Sequence, residues 1–470
     1  MLMSEGIGKG QKKMSITNKN TMDMTHGALW DKILIFALPL AASSILQQLF
    51  NSVDTAVVGR FASSQALAAV GSNSSLISLM INLFLGISLG SNVVIARYIG
   101  QKVEKNIQAA IHTSILVAIL SGFFVMILGQ FIARPVLLLM GTPEDVIDLA
   151  VLYLRIYLVG MPFIMLYDFG SSILRSTGDS KRPLYALIAA GIVNTILNLI
   201  LVIVFQMSVA GVAIATVISN IVSSSIVMYI LLHEQEPIQL DLRKLRIVPG
   251  ELSQLLRIGI PAGLQGTMFS IANVCIQSTI NSFGSSAVAG SAAALNFEFF
   301  AYFMVNAFAQ ATVTFTSQNY GAGEYTRCRK IFRIAMIFSI LSCGLLSGVF
   351  VIWRGFFLRI YTTDPAVLEF AVQRLLIATT LELLTSSYEI SAGAMRGLGH
   401  SLLPAIITFA GSCVLRLIWI ATACRMVHEF WVLMIIYPIS WVVTGIAMLI
   451  AYHFVCSLTY SRMKKSSSGI

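Results

Sequence analysis

The chain has 470 residues, 57% of them hydrophobic and 11% charged, with a mean hydropathy of +0.82 and a net charge of +10. Soluble domains carry about 25% charged residues, so this composition excludes a soluble enzyme and describes a polytopic membrane protein. The positive charge does not indicate nucleic acid, because Lys and Arg cluster at 9–32, 97–105, 175–182, 243–257, 327–333 and 462–465, in loops that alternate with loops carrying few. That bias places both termini in the cytoplasm of a multi-pass membrane protein.

Residues 1–29 form a polar, Lys-bearing segment with no apolar run leading to a small-residue cleavage site, and they read as a disordered cytoplasmic tail. A span needs about 20 apolar residues, and the chain yields about twelve: 33–58, 66–96, 107–132, 146–174, 183–205, 209–232, 252–282, 287–317, 328–353, 366–395, 404–426 and 430–456.

The first span holds the most informative stretch. Pro39 is placed to act as a hinge, and Gln47, Asn51 and Asp54 follow at i, i+4 and i+7, on one face of a helix. An ionisable residue at this depth costs at least about 2.5–3.5 kcal/mol and is by default a functional-site candidate. The competing reading is a structural Asp that caps a neighbouring helix or is hydrogen-bonded within the bundle. In the fourth span Asp168 lies near the cytoplasmic end, where pairing with Arg or backbone competes with a transport role. The fifth and sixth spans add Asn194, Asn198 and Thr216. Asn194 and Asn198 share one face and should turn inward, since lipid leaves amides unsatisfied. Asp54, Asn194, Asn198 and Thr216 together make an oxygen-rich set suited to Na+ or to a proton site, and burial among apolar residues disfavours a free charge on Asp54.

The long polar segment 233–251 reads as a cytoplasmic linker between two lobes. Beyond it, Asn273 and Gln277 sit in the seventh span. Glu298 lies among Phe297, Phe299, Phe300, Tyr302 and Phe303, either as a cavity carboxylate or as a partner for the deep Arg416. The aromatic stripe reads first as helix or lipid packing. Glu382 and Glu389, at i and i+7, share a face of the tenth span. Arg155 and Arg374 lie nearer helix ends and are expected to snorkel. The six cysteines show neither CxxC nor metal-ligand spacing, and no disulfide framework is expected. No phosphate-binding loop and no catalytic triad or zinc motif appears, so the chain reads as a non-enzyme without a cofactor.

The two halves repeat. Tyr167-Asp168, Arg175, Gly178, Ser180 and Pro183 return as Tyr388-Glu389, Arg396, Gly399, Ser401 and Pro404, each shifted by 221, as Gly100 is to Gly321. Pro39 and Pro261, Asn51 and Asn273, and Ser63 and Ser285 match at 222. Six spans per half give parallel repeats: an N-lobe at 30–232 (spans one to six), the linker at 233–251, a C-lobe at 252–456 (spans seven to twelve) and a cytoplasmic tail at 457–470. In each repeated motif the Gly ends a helix and the Pro opens the next, with Arg175 and Arg396 placed at the cytoplasmic surface as topological anchors.

These stretches together resemble the multidrug and toxic compound extrusion (MATE) family: ALPLAASSILQQLFNSVDTAVVGR, GTPEDVIDLAVLYLRIYLVGMPF, ILRSTGDSKRPL, SVAGVAIATVIS, VNAFAQA with QNYGAGE, and SAGAMRGLGHSLLP. The resemblance runs from about residue 30 to 456. It implies an all-α integral membrane fold of twelve helices in two six-helix lobes around a central cavity. The implied activity is antiport, in which amphipathic and often cationic compounds leave in exchange for H+ or Na+. It assigns the cation to Asp54, helped by Asn194, Asn198 and Thr216, with Asn198 standing where the family often has Asp. It extends weakly to Asn273, Gln277, Glu382 and Glu389 as coupling or cavity residues. The expected partners are small substrates and the bilayer, not nucleic acid, and the chain is expected to act as a monomer. Na+ at Asp54 is the only metal ion the resemblance admits. The rival is a lipid-linked saccharide or lipid flippase of related architecture. That activity calls for a cavity rich in Arg and Lys, and deep basic residues are scarce in the sequence.

Overall fold

The computed structural model describes residues 21–467. Among them all the regular secondary structure is helical. The first bundle holds α1 (Trp30–Phe61), α2 (Ser64–Gln101), α3 (Glu104–Leu139), α4 (Ile147–Val159), α5 (Met161–Ser176), α6 (Lys181–Asn198) and α7 (Ser208–Leu232). The second opens with α8 (Pro249–Asn281), α9 (Ser285–Gly321), α10 (Tyr325–Ile352), α11 (Arg354–Arg359), α12 (Pro365–Arg374) and α13 (Thr385–Gly397). It closes with α14 (Leu402–Thr408), α15 (Leu415–Ala421), α16 (Ala423–Met426), α17 (Phe430–Met434) and α18 (Ile436–Ser467). Large apolar side chains such as Phe131 and Leu139 stand exposed on the outside, at 76% and 89%, as lipid-facing positions do.

Nine helical spans among the described residues are long and apolar enough to cross a bilayer, and α4 with α5 make a tenth bent by 46° at their break. The two remaining expected spans fail on polarity or continuity. The 252–282 span is the continuous helix α8, and its Gln265, Asn273 and Gln277 lower its hydropathy. The 366–395 span is broken: α12 gives way to a π-helical turn (Leu375–Thr379) and a 3-10 turn (Glu382–Leu384) before α13. A shift of 221 carries Gly160, where α4 and α5 break, to Leu381, where the second break falls. Irregular backbone at membrane depth persists only where it is buried in protein or lines a cavity.

The repeated motif folds identically in both halves. Gly178 and Gly399 each have φ of 92°, a left-handed conformation that costs a side chain and is free for glycine. The amide of Asp179 donates to Leu174 O (3.2 Å) and that of His400 to Met395 O (2.9 Å), so both helices end in the same 6→1 closure. Arg175 and Arg396, expected at the surface, instead turn into the protein. Arg175 donates to Gln310 Oε1 (2.7 Å), across from α5 to α9, and Arg396 donates to Gln265 Oε1 (2.7 Å) and is 9% exposed. Each guanidinium replaces water with an amide oxygen, which suits a cation held inside better than a snorkelling position would.

The halves meet along the second part of α2. A Cβ on Gly86 would lie 2.0 Å from Gly263 N, and one on Gly263 would lie 2.3 Å from Leu83 O. The contact is reciprocal farther along. A Cβ on Gly100 would meet Gln318 O at 2.0 Å, and one on Gly321 would meet Arg97 O at 2.1 Å. The shift that relates Gly100 to Gly321 also relates Arg97 to Gln318, as a two-fold axis between parallel repeats requires. Thr314 donates to Asn92 Oδ1 (3.0 Å) and Gln318 to Ser176 O (2.6 Å) across the same seam. The opposing atoms at Gly263 are backbone and cannot rotate away. Gly263→Val is therefore expected to part the halves. A short bifunctional maleimide joining Asn82→Cys to Ser270→Cys, whose native side chains are hydrogen-bonded at 3.1 Å, should lose several-fold in yield. Unchanged yield would mean the seam has slack.

The expectation of disorder over 1–29 is corrected for residues 21–29; residues 1–20 lie outside the described residues. Met24 is fully buried, and its carbonyl accepts from Asn319 Nδ2 at 3.0 Å. Arg327 donates to Gly27 O (3.1 Å), while the Met22 amide donates to Thr177 O (3.2 Å). The polar composition misled because a few apolar side chains, Met24 and Leu29 among them, and backbone carbonyls make these attachments.

Candidate functional site

The first bundle gathers Asp54, Asn194, Asn198 and Thr216 as expected. Asn194 and Asn198 lie one turn apart on α6, 5% and 0% exposed. Asn198 is the last α-helical residue before a π-helical segment (Leu199–Val204), a departure frequent at functional sites. Its Nδ2 donates both to Asp54 Oδ1 and to Asn194 Oδ1, the latter at 3.1 Å. Its own Oδ1 is buried without a donor among the described residues. Thr216 on α7 lies against the Asp54 carboxylate and donates to Val212 O (2.9 Å). The set thus presents a carboxylate, a hydroxyl and a buried amide oxygen that lacks a positive partner. Hard cations such as Na+ take oxygen ligands of these types, and a proton needs only the carboxylate.

Gln47 and Asn51 share the face of Asp54, but both are exposed and stand outside this hydrogen-bonded set. α1 runs through Pro39 without interruption, with the Ser43 hydroxyl donating to Pro39 O (2.9 Å). Two residues near Asp54 escaped the sequence reading: Tyr153 and Tyr157 on α4, stacked 6.1 Å apart. Their i, i+4 spacing in a polar-poor span was the available signal. Asp168 is 8% exposed. Its Oδ2 has no hydrogen bond, and it makes no ion pair among the described residues, because the nearby Arg175 is turned to Gln310.

The second bundle, with Asn82 of α2 at the edge, lines an open cavity of about 570 Å³. It is lined by Asn273, Gln277, Glu298, Glu382 and Glu389, and equally by Arg374, Arg396 and Arg416. Four sequence expectations change here. Arg374 does not snorkel: it is 2% exposed and bidentate to Glu298, with Nε to Oε1 at 2.7 Å and the terminal nitrogen to Oε2 at 2.8 Å. Glu298 therefore pairs with Arg374, not Arg416. Arg416 is 2% exposed, donates from Nε to Ser440 Oγ (3.0 Å) and stands over the ring of Tyr437 at 4.7 Å. The aromatic stripe divides. Phe297 packs against Phe350 (5.0 Å), whereas Phe299, Tyr302 and Phe303 face the cavity. Tyr302 donates to Glu389 Oε1 at 3.0 Å. The scarcity of deep basic residues was misjudged, because bent helices carry arginines inward from positions that read as helix ends.

Two like helical bundles spanning a membrane, each holding a buried polar cluster, define a membrane transporter. The MatE family model matches residues 39–200 and 261–422, two copies 222 residues apart, and the chain belongs to that family. "Probable multidrug resistance protein YoeA" of Bacillus subtilis is 30% identical over 395 residues, covering 83% of this chain and 85% of its own. An "FAD transporter" of Shewanella oneidensis is 26% identical over 327 residues, covering 68% and 72%. Among solved structures, the "outward-facing conformation of a multidrug resistance MATE family transporter" superposes with a TM-score of 0.88 at 21% identity, covering 95% of this chain and 99% of that one. The fold is that of a multi-pass MATE transporter carrying small substrates across a membrane.

Proposed function

We propose that the protein is a secondary antiporter of the plasma membrane that exports amphipathic, often cationic compounds in exchange for H+ or Na+, with Asp54 as the site that loads the ion. The observation that carries this reading is the buried Asn198 amide. It donates to Asp54 and leaves its own oxygen unmatched beside that carboxylate. A cation entering the set neutralises Asp54 and can take Asn198 Oδ1, Asn194 Oδ1 and the Thr216 oxygen as ligands; a proton neutralises it alone. Either event removes the charge that the Asn198 amide now serves, which frees α1 to repack against α6 about Pro39. An ion shifts such an equilibrium only through unequal affinity for the two states.

With both termini cytoplasmic, the close seam of α2 against α8 and α9 lies on the cytoplasmic side, and the cation set lies toward the outside. This is the state expected after substrate release. The chain acts as a monomer in this account, because the two-fold relation needed for rocking is internal. The flippase alternative is not favoured, because the cavity carries as many carboxyl groups as arginines, three of each, rather than the excess of basic groups a pyrophosphate calls for.

The test is efflux from proteoliposomes with a pH gradient or a Na+ gradient imposed separately. One gradient should speed the loss of a cationic dye from the vesicles at least about tenfold over no gradient, about 1.4 kcal/mol. Equal flux with neither gradient would contradict antiport.

A further inference from the structure

The cavity of the second bundle holds a carboxyl group and a guanidinium that the account above does not use. Glu382 is 5% exposed, and among the described residues its carboxylate accepts no hydrogen bond and forms no ion pair. Arg416 is 2% exposed and likewise meets no carboxylate at ion-pair distance; Ser440 takes its Nε, and Tyr437 and Phe269 face its guanidinium at 4.7 and 5.9 Å. Both line the same cavity and feel one another's charge without touching. Arg374 and Glu298 show the contrast, since they close on each other in a bidentate pair. Burying either charge without a partner is costly. Glu382 opens the 3-10 turn within the broken stretch of its span, and Arg416 lies two residues beyond a π-helical turn (Phe409–Val414), so the backbone departs from regular helix beside each one.

We propose that this cavity binds the zwitterionic members of the substrate range, amphiphiles bearing both an amine and a carboxylate. The amine meets Glu382, the carboxylate meets the free terminal N–H groups of Arg416, and the apolar body rests among the aromatic side chains of α9. A guanidinium is suited to a carboxylate by its paired donors, and the cavity is of ordinary ligand size. The proposal rests on the chain being an exporter of amphipathic compounds and specifies the charge pattern of one class of them.

The experiment is equilibrium binding in detergent, which needs no gradient and so can fail independently of antiport. Three probes share one scaffold: a naphthylalanine dipeptide (zwitterion), its methyl ester (cation) and its N-acetyl form (anion). The wild type should bind the zwitterion about tenfold or more tighter than either analogue. Arg416→Gln should remove the advantage over the ester and Glu382→Gln the advantage over the N-acetyl form, each leaving the other preference in place. Equal binding of the three probes by the wild type, or no binding of the zwitterion, would overturn the proposal without recourse to a variant. A variant that loses both preferences together while keeping the wild-type melting temperature would also overturn it.

Discussion

Replacing Asp54 with Asn should reduce ion-driven export to the level of empty vesicles, and drug resistance in cells to that of a vector control, at an unchanged level of protein in the membrane. Asn preserves the shape of the side chain and can still meet the Asn198 amide, whose Nδ2 now donates to Asp54 Oδ1. What it cannot do is exchange a charge. A neutral residue at this site resembles the ion-loaded state permanently, so the transporter loses the difference between its two states rather than its fold. Thr216→Ala removes one hydroxyl from the edge of the set and leaves the carboxylate, so its effect should be a smaller loss, within about tenfold. Resistance at the wild-type level in Asp54→Asn would remove this residue from the mechanism.

The second large effect is on stability. Arg374→Ala should destabilise the protein by about 3–5 kcal/mol, because it strands the Glu298 carboxylate in a site where Arg374 now supplies two hydrogen bonds. It also leaves Ser291 Oγ, which Arg374 reaches at 2.6 Å, without its donor. The double variant Glu298→Gln with Arg374→Met should recover most of the loss, since a buried ion pair replaced by groups of similar volume is often near neutral. Thermal unfolding in detergent reads both. A single variant as stable as the double would mean that water reaches the pair.

Much of the design was legible before any coordinates. The fixed offset between Gly178 and Gly399 predicted two equivalent helix ends, and both adopt φ of 92°. The i, i+4 spacing of Asn194 and Asn198 predicted a shared inward face, because amides facing lipid stay unsatisfied. The arginines were misread for a physical reason. Hydropathy along the chain measures depth as though each span were straight, and Arg374 lies at the end of α12, just before a π-helical turn that a linear scan does not detect. Arg416 invited a carboxylate partner by the cost of an isolated charge, yet a hydroxyl and two aromatic faces hold it, leaving a ligand to supply the anion. The span count erred in the same region, since lining a cavity made α8 and the α12–α13 stretch too polar or too broken to meet the standard of a simple span.

The most direct test of the central claim is substrate affinity measured on purified protein while pH and Na+ are varied in turn. If Asp54 exchanges the ion against the substrate-permissive state, one of the two ions should weaken binding of a cationic substrate by about tenfold or more across its working range, and Asp54→Asn should flatten that dependence. An affinity that is constant across both titrations in the wild type, or a dependence that survives intact in Asp54→Asn, would contradict the account.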